Sequence, residues 1–471
     1  MLEKALILAA GEGERLEDLT ENKPKPLVSV AGSPLLCRVL KSLKLAGIAE
    51  AYIVVGYMGY KIRKTIGHSY AGVRVHYIEN QRWREGNLYS LLVSKEVLKE
   101  DFILCMADHL FDSRIVKALQ SKNPKNSLVL AVDRKTPLPD DTKVLEKNGK
   151  IVEIGKSIER SNCVDTGFFL CSPRIFDYAE RAAEKGMGEL ADGVRLAALE
   201  GEADVLDISE LSGRIPKLRK EMKPYWIDVD TKEDVKRAKE MLVEKLSKSP
   251  SDLLACYVHR PIENKIVYHL SGYGITPNQM TVFVNIVAYT VTFLFLTGNL
   301  LPASILTFVV GLMDGLDGKL ARVKDMTSEL GSMEHPFDAL YEFSWIAAIS
   351  IHLSLSAGRL LPVLLGMLII LLTVFYRQCY DRFRMSTGKS LDAYGKFDRI
   401  FRRIVGRRNL YNIHIFVAVI LGVPLYCLVS ILLHAAMTTI VYACRACLHL
   451  HTHDKAIQQS GSNNLTSQST L

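Results

Sequence analysis

From Gln279 to about Leu450 the chain runs in long apolar stretches with hardly any charge, and the second of them ends on Asp314-Gly-Leu-Asp317-Gly318-Lys-Leu-Ala321-Arg322. Stretches of that kind fold as helices that span a bilayer, and a carboxylate at mid-span costs about 3 kcal/mol even on lenient scales. Acids at the foot of a span therefore read as a functional site, with a cation, a partner or water compensating them. The i, i+3 spacing puts Asp314 and Asp317 on one helix face, and Gly315 and Gly318 leave room beside them for a bulky anionic ligand. Glu334 and Asp338 repeat the arrangement at i, i+4. Four acids offering oxygen suit Mg²⁺ or Mn²⁺ better than a soft metal.

These residues resemble the signature of the CDP-alcohol phosphotransferases, written D-x2-D-G-x2-A-R, then eight or nine residues, then G-x3-D-x3-D. The first half matches at every defined position. In the second half Gly331 is correctly spaced from Arg322, but Glu334 stands where the third Asp belongs and lies three residues after that glycine rather than four. The resemblance implies metal binding by Asp314, Asp317, Glu334 and Asp338, and nucleotide contacts from Gly318, Ala321 and Arg322. It also makes Asp338, the match to the fourth acid, the general base that activates an attacking hydroxyl. Counted strictly from Gly331, the acid positions fall instead on His335 and Ala339, and Asp338 becomes a bystander.

At 471 residues the chain is too long for one core. Its composition changes near residue 250, from short mixed segments to the apolar stretches, so two domains are expected, 1–248 and 279–450, with a linker and an amphipathic lead-in helix over 249–278. The net charge of +8 does not point to nucleic acid, because much of the excess lies in one loop between apolar spans, where positive-inside topology accounts for it. Nine cysteines are scattered along the chain, and only Cys444 and Cys447 are close enough to read as a pair. That is no disulfide framework. The three histidines that follow, His449, His451 and His453, match no common zinc spacing. The N-terminus starts on a strand-like run without a basic region and cleavage site, so no signal peptide is read and the first domain is expected in the cytoplasm.

That run, Ala5-Leu-Ile-Leu-Ala-Ala10, opens into Gly11-Glu-Gly13-Glu-Arg15. A buried strand leading into a glycine loop makes a phosphate cradle, since backbone N–H groups surround an anion that side chains would block. With Lys23-Pro-Lys25-Pro-Leu and Gly32-Ser-Pro-Leu the segment resembles the sugar-phosphate and alcohol-phosphate nucleotidyltransferases. Strand-like runs at Ala51–Val55, Val73–Ile78, Phe102–Met106, Ser127–Val132 and Gly167–Cys171 fit a Rossmann-like α/β domain with a mixed sheet. Amphipathic segments such as Pro34–Leu45 and Asn87–Val97 lie between several of them. The resemblance implies that Ala10, Gly11 and Gly13 bind the nucleotide, with Arg15 and Lys25 catalytic. It makes Asp108, just past one strand end, a Mg²⁺ ligand; the bland alternative is a solvated turn aspartate. Gly86, Asn87 and Ser90 resemble the base-recognition turn, and Val164-Asp165-Thr166-Gly167 the segment that meets the acceptor. Trp226-Ile-Asp228-Val-Asp230-Thr231-Lys-Glu233-Asp234 resembles the family's W-x-D-x-D-T-x-E-D, which implies that one of Asp228 and Asp230 completes the metal site. Asp230 has a second reading, as the cap of the next helix with Glu233 at N3.

After a charged helix over residues 232–248, Ser249-Pro250-Ser251 marks the boundary, and Ile275-Thr-Pro-Asn278 resembles the lead-in of the CDP-alcohol phosphotransferases. Six spans are expected in an all-α transmembrane domain: Gln279–Thr297, Leu301–Met313, Ala339–Ser356, Leu360–Tyr376, Ile413–Ser430 and Ile431–Leu448. Between Arg377 and Tyr411 ten Lys and Arg face three Asp. This puts the loop in the cytoplasm, and with an even number of spans both termini as well, in a multi-pass cell-membrane protein. Arg402, Arg403, Arg407 and Arg408 read either as anchors to anionic headgroups or as a pocket for an acceptor phosphate. Residues 451–471 are polar and low in complexity and should be disordered.

The two halves in this order resemble the bifunctional family that joins an inositol-1-phosphate cytidylyltransferase to a di-myo-inositol-phosphate-phosphate synthase. The resemblance implies CTP, inositol 1-phosphate and CDP-inositol as substrates, Mg²⁺ or Mn²⁺ as cofactor, and a homodimer through the membrane domain. The alternatives are a phospholipid synthase using a CDP-activated headgroup or CDP-diacylglycerol, and a membrane phosphotransferase or scaffold with an inactive first domain.

Overall fold

The computed structural model describes residues 2–468 apart from 123–125, 216–217, 219, 249–254, 329–330 and 332–333; the side chains at 214, 255, 334 and 456–468 also lie outside the description. The chain forms two compact units, Met1–Lys248 and Ser249–Leu471.

The first unit is built on β1 (Lys4–Ala9), β2 (Glu50–Val55), β3 (Val73–Glu79), β4 (Phe102–Met106), β5 (His109–Phe111), β6 (Leu128–Asp133), β7 (Lys143–Lys147), β8 (Lys150–Gly155), β9 (Cys163–Cys171), β10 (Ala203–Asp207) and β11 (Trp226–Asp228). All but β5 and β11, with the short strand Ser69–Tyr70 at its far edge, lie in one ten-stranded sheet ordered β7-β8-β10-β6-β9-β4-β1-β2-β3. Alternation explains why β1 is apolar throughout: Ala5, Ile7 and Ala9 enter a core on one face of the sheet, Leu6 and Leu8 a core on the other. Full burial of each leucine or isoleucine contributes about 1.5–3 kcal/mol. β1 pairs in parallel with β2 and β4, whereas β9 runs antiparallel to β4 and β6. The sheet is mixed, as expected.

Strands β5 and β11 form a separate antiparallel ribbon in which Asp228 sits opposite His109. It lies just past the end of β4 and carries Asp228 to Asp108. The helix that follows, α3 (Lys232–Lys245), comes after α1 (Leu35–Ala46) and α2 (Asn87–Leu92) in chain order. Its N-cap is Thr231, whose hydroxyl accepts from the Asp234 amide while the Asp234 carboxylate accepts from the Thr231 amide. This corrects the reading of Asp230 and Glu233 as the capping pair by one residue, because a hydroxyl at 231 with a carboxylate three residues on completes the box.

Gly86 precedes α2 with φ at 117°, and a Cβ there would lie inside the contact distance of the Gly188 carbonyl oxygen. Gly86→Ala combines a forbidden backbone region with a clash against backbone. It is expected to destabilise the first unit by about 2–4 kcal/mol, seen as a lowered midpoint in thermal or urea unfolding.

The second unit is helical: α4 (Arg260–Leu270), α5 (Pro277–Leu296), α6 (Leu300–Met313), α7 (Leu316–Val323), α8 (Glu334–Ala357), α9 (Leu361–Thr387), α10 (Lys396–Phe401), α11 (Arg408–Ile420) and α12 (Leu425–Gln468). The Ile-Thr-Pro-Asn lead-in is a helix start. Thr276 caps α5, Pro277 occupies the first turn, and Gln279 reaches back to the Thr276 amide. Where α8 crosses α5, the Trp345 indole donates to the Ala288 carbonyl at 2.8 Å. At α9 the missing side chain of Gly366 admits Ser350.

Among the described residues four segments are long and apolar enough to cross a membrane: Pro277–Leu296, Leu300–Val323, Leu361–Thr387 and Leu425–Lys455. The other two expected spans fall short of that measure. α11 has 13 residues, about 20 Å of helix against a hydrocarbon core of about 30 Å, and α8 opens on Glu334-His-Pro-Phe-Asp338 and carries Glu342. The expected break between Ser430 and Ile431 is also displaced. Gly422, at φ 70°, and Pro424 end α11 and start α12 there, because a left-handed glycine followed by proline stops a helix. Backbone helix continues to Gln468 through the segment read as a disordered tail, whose side chains beyond Lys455 are outside the description. His449, one of the three C-terminal histidines, joins Arg445 on the Asp398 carboxylate and ties α12 to α10.

Candidate active sites

In the first unit, β1 ends in the glycine loop and β4 ends beside it, so their carboxyl ends bring Lys25 and Asp108 together. The Lys25 ammonium is 2.5 Å from Asp108 Oδ2 and is also paired with Asp230 Oδ1. Arg15 reaches Asp230 Oδ2 at 2.6 Å and Asp140 at 3.5 Å. Gly13 is required by contact: at φ 77° a Cβ would stand 2.6 Å from Lys25 Cβ. Gly11 faces open space, and the Ala10 carbonyl accepts from the Tyr57 amide. The loop therefore packs down on the lysine at one glycine and leaves room for a ligand at the other.

His109, which the sequence reading passed over, is buried between the acids. Its Nδ1 is 2.8 Å from Asp108 Oδ1 and 3.6 Å from Asp228 Oδ1. Burial opposes its charge, but the Asp228 and Asp108 carboxylates outweigh that and raise the imidazole to about 9. Burial pushes Asp228 up to about 6, with His109 pulling the other way. For Lys25, burial is likewise overcome by Asp108, Asp228 and Asp230, so its pKa is raised. Asp108, against its own burial, is held well below the usual carboxylate range by Lys25 and His109. Nearby, burial lifts Asp165 to about 6 although it accepts from the Gly167 amide.

The turn around Gly86, which the resemblance reads as base-recognising, is held from within. Buried Ser90 accepts from the Asn80 amide at 3.0 Å, and Asn87 Oδ1 accepts from the Leu190 backbone at 2.6 Å. Ser90 and Asn87 thus fix the turn around Gly86.

In the second unit, α6 ends at Asp314, and a cavity of about 360 Å³ opens there, lined by Asp314, His335, Asp338, Glu342, Arg377 and Arg408 among others. Asp314 accepts from the Tyr341 hydroxyl at 3.0 Å and pairs with Arg408 at 2.5 Å; Asp338 lies within hydrogen-bonding reach of it. Two carboxylates so close call for a proton or a cation between them. Asp317 does not face this cavity. It is buried in the first turn of α7, where its oxygens accept from Thr281 Oγ1 and the Gly318 amide, each at 2.6 Å. The space beside Gly315, read as room for a ligand, is taken by Glu263 of α4, 3.0 Å from where a Cβ would stand. Gly318, Ala321 and Arg322 lie on α7 away from the lining, and the Glu334 side chain is outside the described residues.

The four arginines part ways. Arg407 and Arg408 line the cavity, whereas Arg402 is buried against Asp392 at 3.0 Å and Arg403 is exposed. Arg377, named in the sequence only as the start of the basic loop, and Glu342, not singled out there, complete the wall: Glu342 pairs with Arg377 and lies 3.5 Å from Arg408.

Residues 4–245 match the family described as nucleotidyl transferase, and residues 274–442 the family described as CDP-alcohol phosphatidyltransferase. A bifunctional IPC transferase and DIPP synthase of Aquifex aeolicus is 32% identical over 438 residues, covering 90% of this chain and 93% of the relative. The protein of the same name from Archaeoglobus fulgidus is 31% identical over 419 residues, covering 87% of this chain and 76% of the relative. A solved structure, the inositol-1-phosphate CTP transferase from T. maritima, is 26% identical and covers 50% of this chain and 91% of its own, with a TM-score of 0.42. This chain belongs to the bifunctional IPC transferase and DIPP synthase family.

The bifunctional transferase offers one trio of metal-ligating side chains among its described residues, Asp108, His109 and Asp228, with ligand atoms within 4.8 Å of one another. The fit to a cation rests on Asp228 Oδ1, a buried oxygen without a hydrogen-bond partner. Asp230, by contrast, has one oxygen on Lys25 and the other on Arg15. Asp228→Asn is therefore expected to weaken Mn²⁺ binding by at least the ~10–100-fold seen for outer-shell changes. Asp230→Asn should leave it near wild type while slowing turnover of CTP, and Mn²⁺ titration of the two variants separates these effects.

Proposed function

We propose that the first unit joins CTP to inositol 1-phosphate, giving CDP-inositol and pyrophosphate. The second unit then joins CDP-inositol to a second inositol 1-phosphate, giving di-myo-inositol phosphate phosphate and CMP. The observation that carries this is the pairing, in one chain, of an intact Lys25–Asp108–Asp228 cluster with the Asp314–Asp338 cavity, in relatives named for both steps. Mg²⁺ or Mn²⁺ would be held by Asp108 and Asp228 in the first unit and by Asp314 and Asp338 in the second, where it would supply electrostatic stabilisation of phosphate oxygens; Asp317, with its oxygens on Thr281 and the Gly318 amide, would brace the start of α7 beside that site.

The rest falls to the chain's own residues. Lys25 and Arg15, with the amides of Gly11 and Gly13, spread the charge that develops as pyrophosphate leaves. Gly86, Asn87 and Ser90 shape the base pocket. In the second unit Asp338 takes the proton of the attacking hydroxyl, since an alcohol is a poor nucleophile at neutral pH. Arg407, Arg408 and Arg377 receive the acceptor's phosphate, as guanidinium groups bind it in bidentate fashion. Incubating the protein with CTP, Mg²⁺ and inositol 1-phosphate and following ³¹P NMR should show pyrophosphate and a CDP-alcohol first, then a phosphodiester with CMP. No pyrophosphate from CTP would defeat the reading.

The same reading makes the second unit a six-span, homodimeric membrane domain in the cell membrane, with α8 and α11 added to the four long apolar segments as its remaining spans. The charge of the Arg377–Tyr411 loop supports a cytoplasmic position for it, for the C-terminus and for the first unit. In a background whose nine native cysteines are replaced by serine or alanine, a cysteine introduced at Lys389 should resist impermeant maleimide in intact cells and react after lysis; labelling from outside would reverse the topology.

A further inference from the structure

We infer that His109 is a positioning residue for the cation site, a fixed N–H donor that aims the Asp108 carboxylate, and not itself a ligand. The inference rests on the reading of Asp108 and Asp228 as the cation's ligands. Its first support is the surroundings of Nδ1. That atom faces two carboxylate oxygens, Asp108 Oδ1 at 2.8 Å and Asp228 Oδ1 at 3.6 Å, and ionised carboxylates only accept. Nδ1 therefore carries the proton, and a nitrogen that donates a proton has no lone pair left for a metal. Each oxygen of Asp108 keeps one, so the carboxylate can hold a cation while it accepts from the ring.

The second support is how firmly the ring is placed. Phe168 meets it edge-on with centroids 5.9 Å apart, and Trp226 stacks on it at 6.1 Å and 13°. Gly167, at φ 77°, comes so near that a Cβ would stand 2.9 Å from the ring's Nε2. Trp226 is fixed in turn by donating its indole N–H to Asp133 at 2.9 Å. A donor locked on three sides cannot follow a wandering carboxylate, so the carboxylate conforms to it. This is the arrangement by which an outer residue orients an inner ligand. The β5–β11 pairing sets Asp228 opposite the same histidine, so a single ring gauges both acids.

The chain has three tryptophans, and replacing Trp83 and Trp345 by phenylalanine leaves Trp226, beside the site, as the reporter of bound Mn²⁺. In that full-length background Mn²⁺ should quench the fluorescence with one apparent Kd. His109→Ala should raise that Kd by ~10–100-fold. His109→Asn puts an amide N–H near the place of Nδ1–H and should restore binding to within about threefold of the parent, whereas His109→Gln, whose amide falls nearer Nε2, should not. Thermal unfolding of each variant shows that it is folded. Parental affinity in His109→Ala overturns the inference, and so does equal weakness of the Asn and Ala variants, which would make the ring nitrogen a ligand. Loss of quenching in the parent itself, or its persistence in Asp228→Asn, would instead strike the metal reading on which the inference stands.

Discussion

Lys25→Ala is expected to lower CDP-alcohol formation by ~10²–10³-fold, the cost of removing one preorganised charge from a transition state in which phosphate oxygens gain charge. The side chain is buried, and its ammonium is the shared partner of Asp108 and Asp230. Its loss removes a cation from the phosphate path and leaves those carboxylates facing one another. Phosphotransfer from supplied CDP-inositol should be nearly unchanged, because the two units have separate cores. The two rates are read as pyrophosphate release from CTP and CMP release from CDP-inositol. A folded variant that loses both would refute independent sites.

Asp338→Asn should do the converse. It keeps the size of the side chain but cannot take a proton, so phosphotransfer should fall by the ~10²–10⁴ of a lost general base while CDP-alcohol formation stays intact. CDP-inositol binding should change little. His335 lines the same cavity as Asp338. If Asp338→Asn turns over at a near-normal rate, His335→Ala is the variant that should lose phosphotransfer, and the strict count from Gly331 is then the right alignment.

What could be read from the sequence divides by range. Apolar runs gave β1, β2 and β4 to within a residue or so at each end, because a strand with little or no polar residue in it has nothing to blur its ends, and β3 was placed as closely although Arg74 and His76 on one of its faces are exposed. Strands β7, β8 and β10 escaped, since each carries Lys, Asp or Glu among its apolar residues and lies towards one side of the sheet. The turn between β7 and β8 was nevertheless signalled by Asn148-Gly149, at φ 54° and 77°, a strong short-range hairpin cue. Gly422 and Pro424 likewise marked a helix stop that hydropathy alone ran across.

In the sites, motif residues could be named but their partners could not. Nothing local says that Asp228 lies opposite His109, that Glu263 fills the space at Gly315, or that Glu342 sits between Arg377 and Arg408. Those are tertiary facts. For His109 the local cue is its place directly after a strand-end aspartate, and a single histidine there is weak.

The ribbon of β5 and β11 has a bearing on how the chain is made. Asp108 leaves the ribosome with the first half of the unit, and Asp228 almost at its end, so a cation has only half a site until the last strand arrives. A ligand that binds only the completed site stabilises the folded state by mass action. Divalent cation is then a late fastener of the first unit, closing it as synthesis turns to the hydrophobic helices, and a chain cut short before Trp226 should fold without gaining anything from the metal.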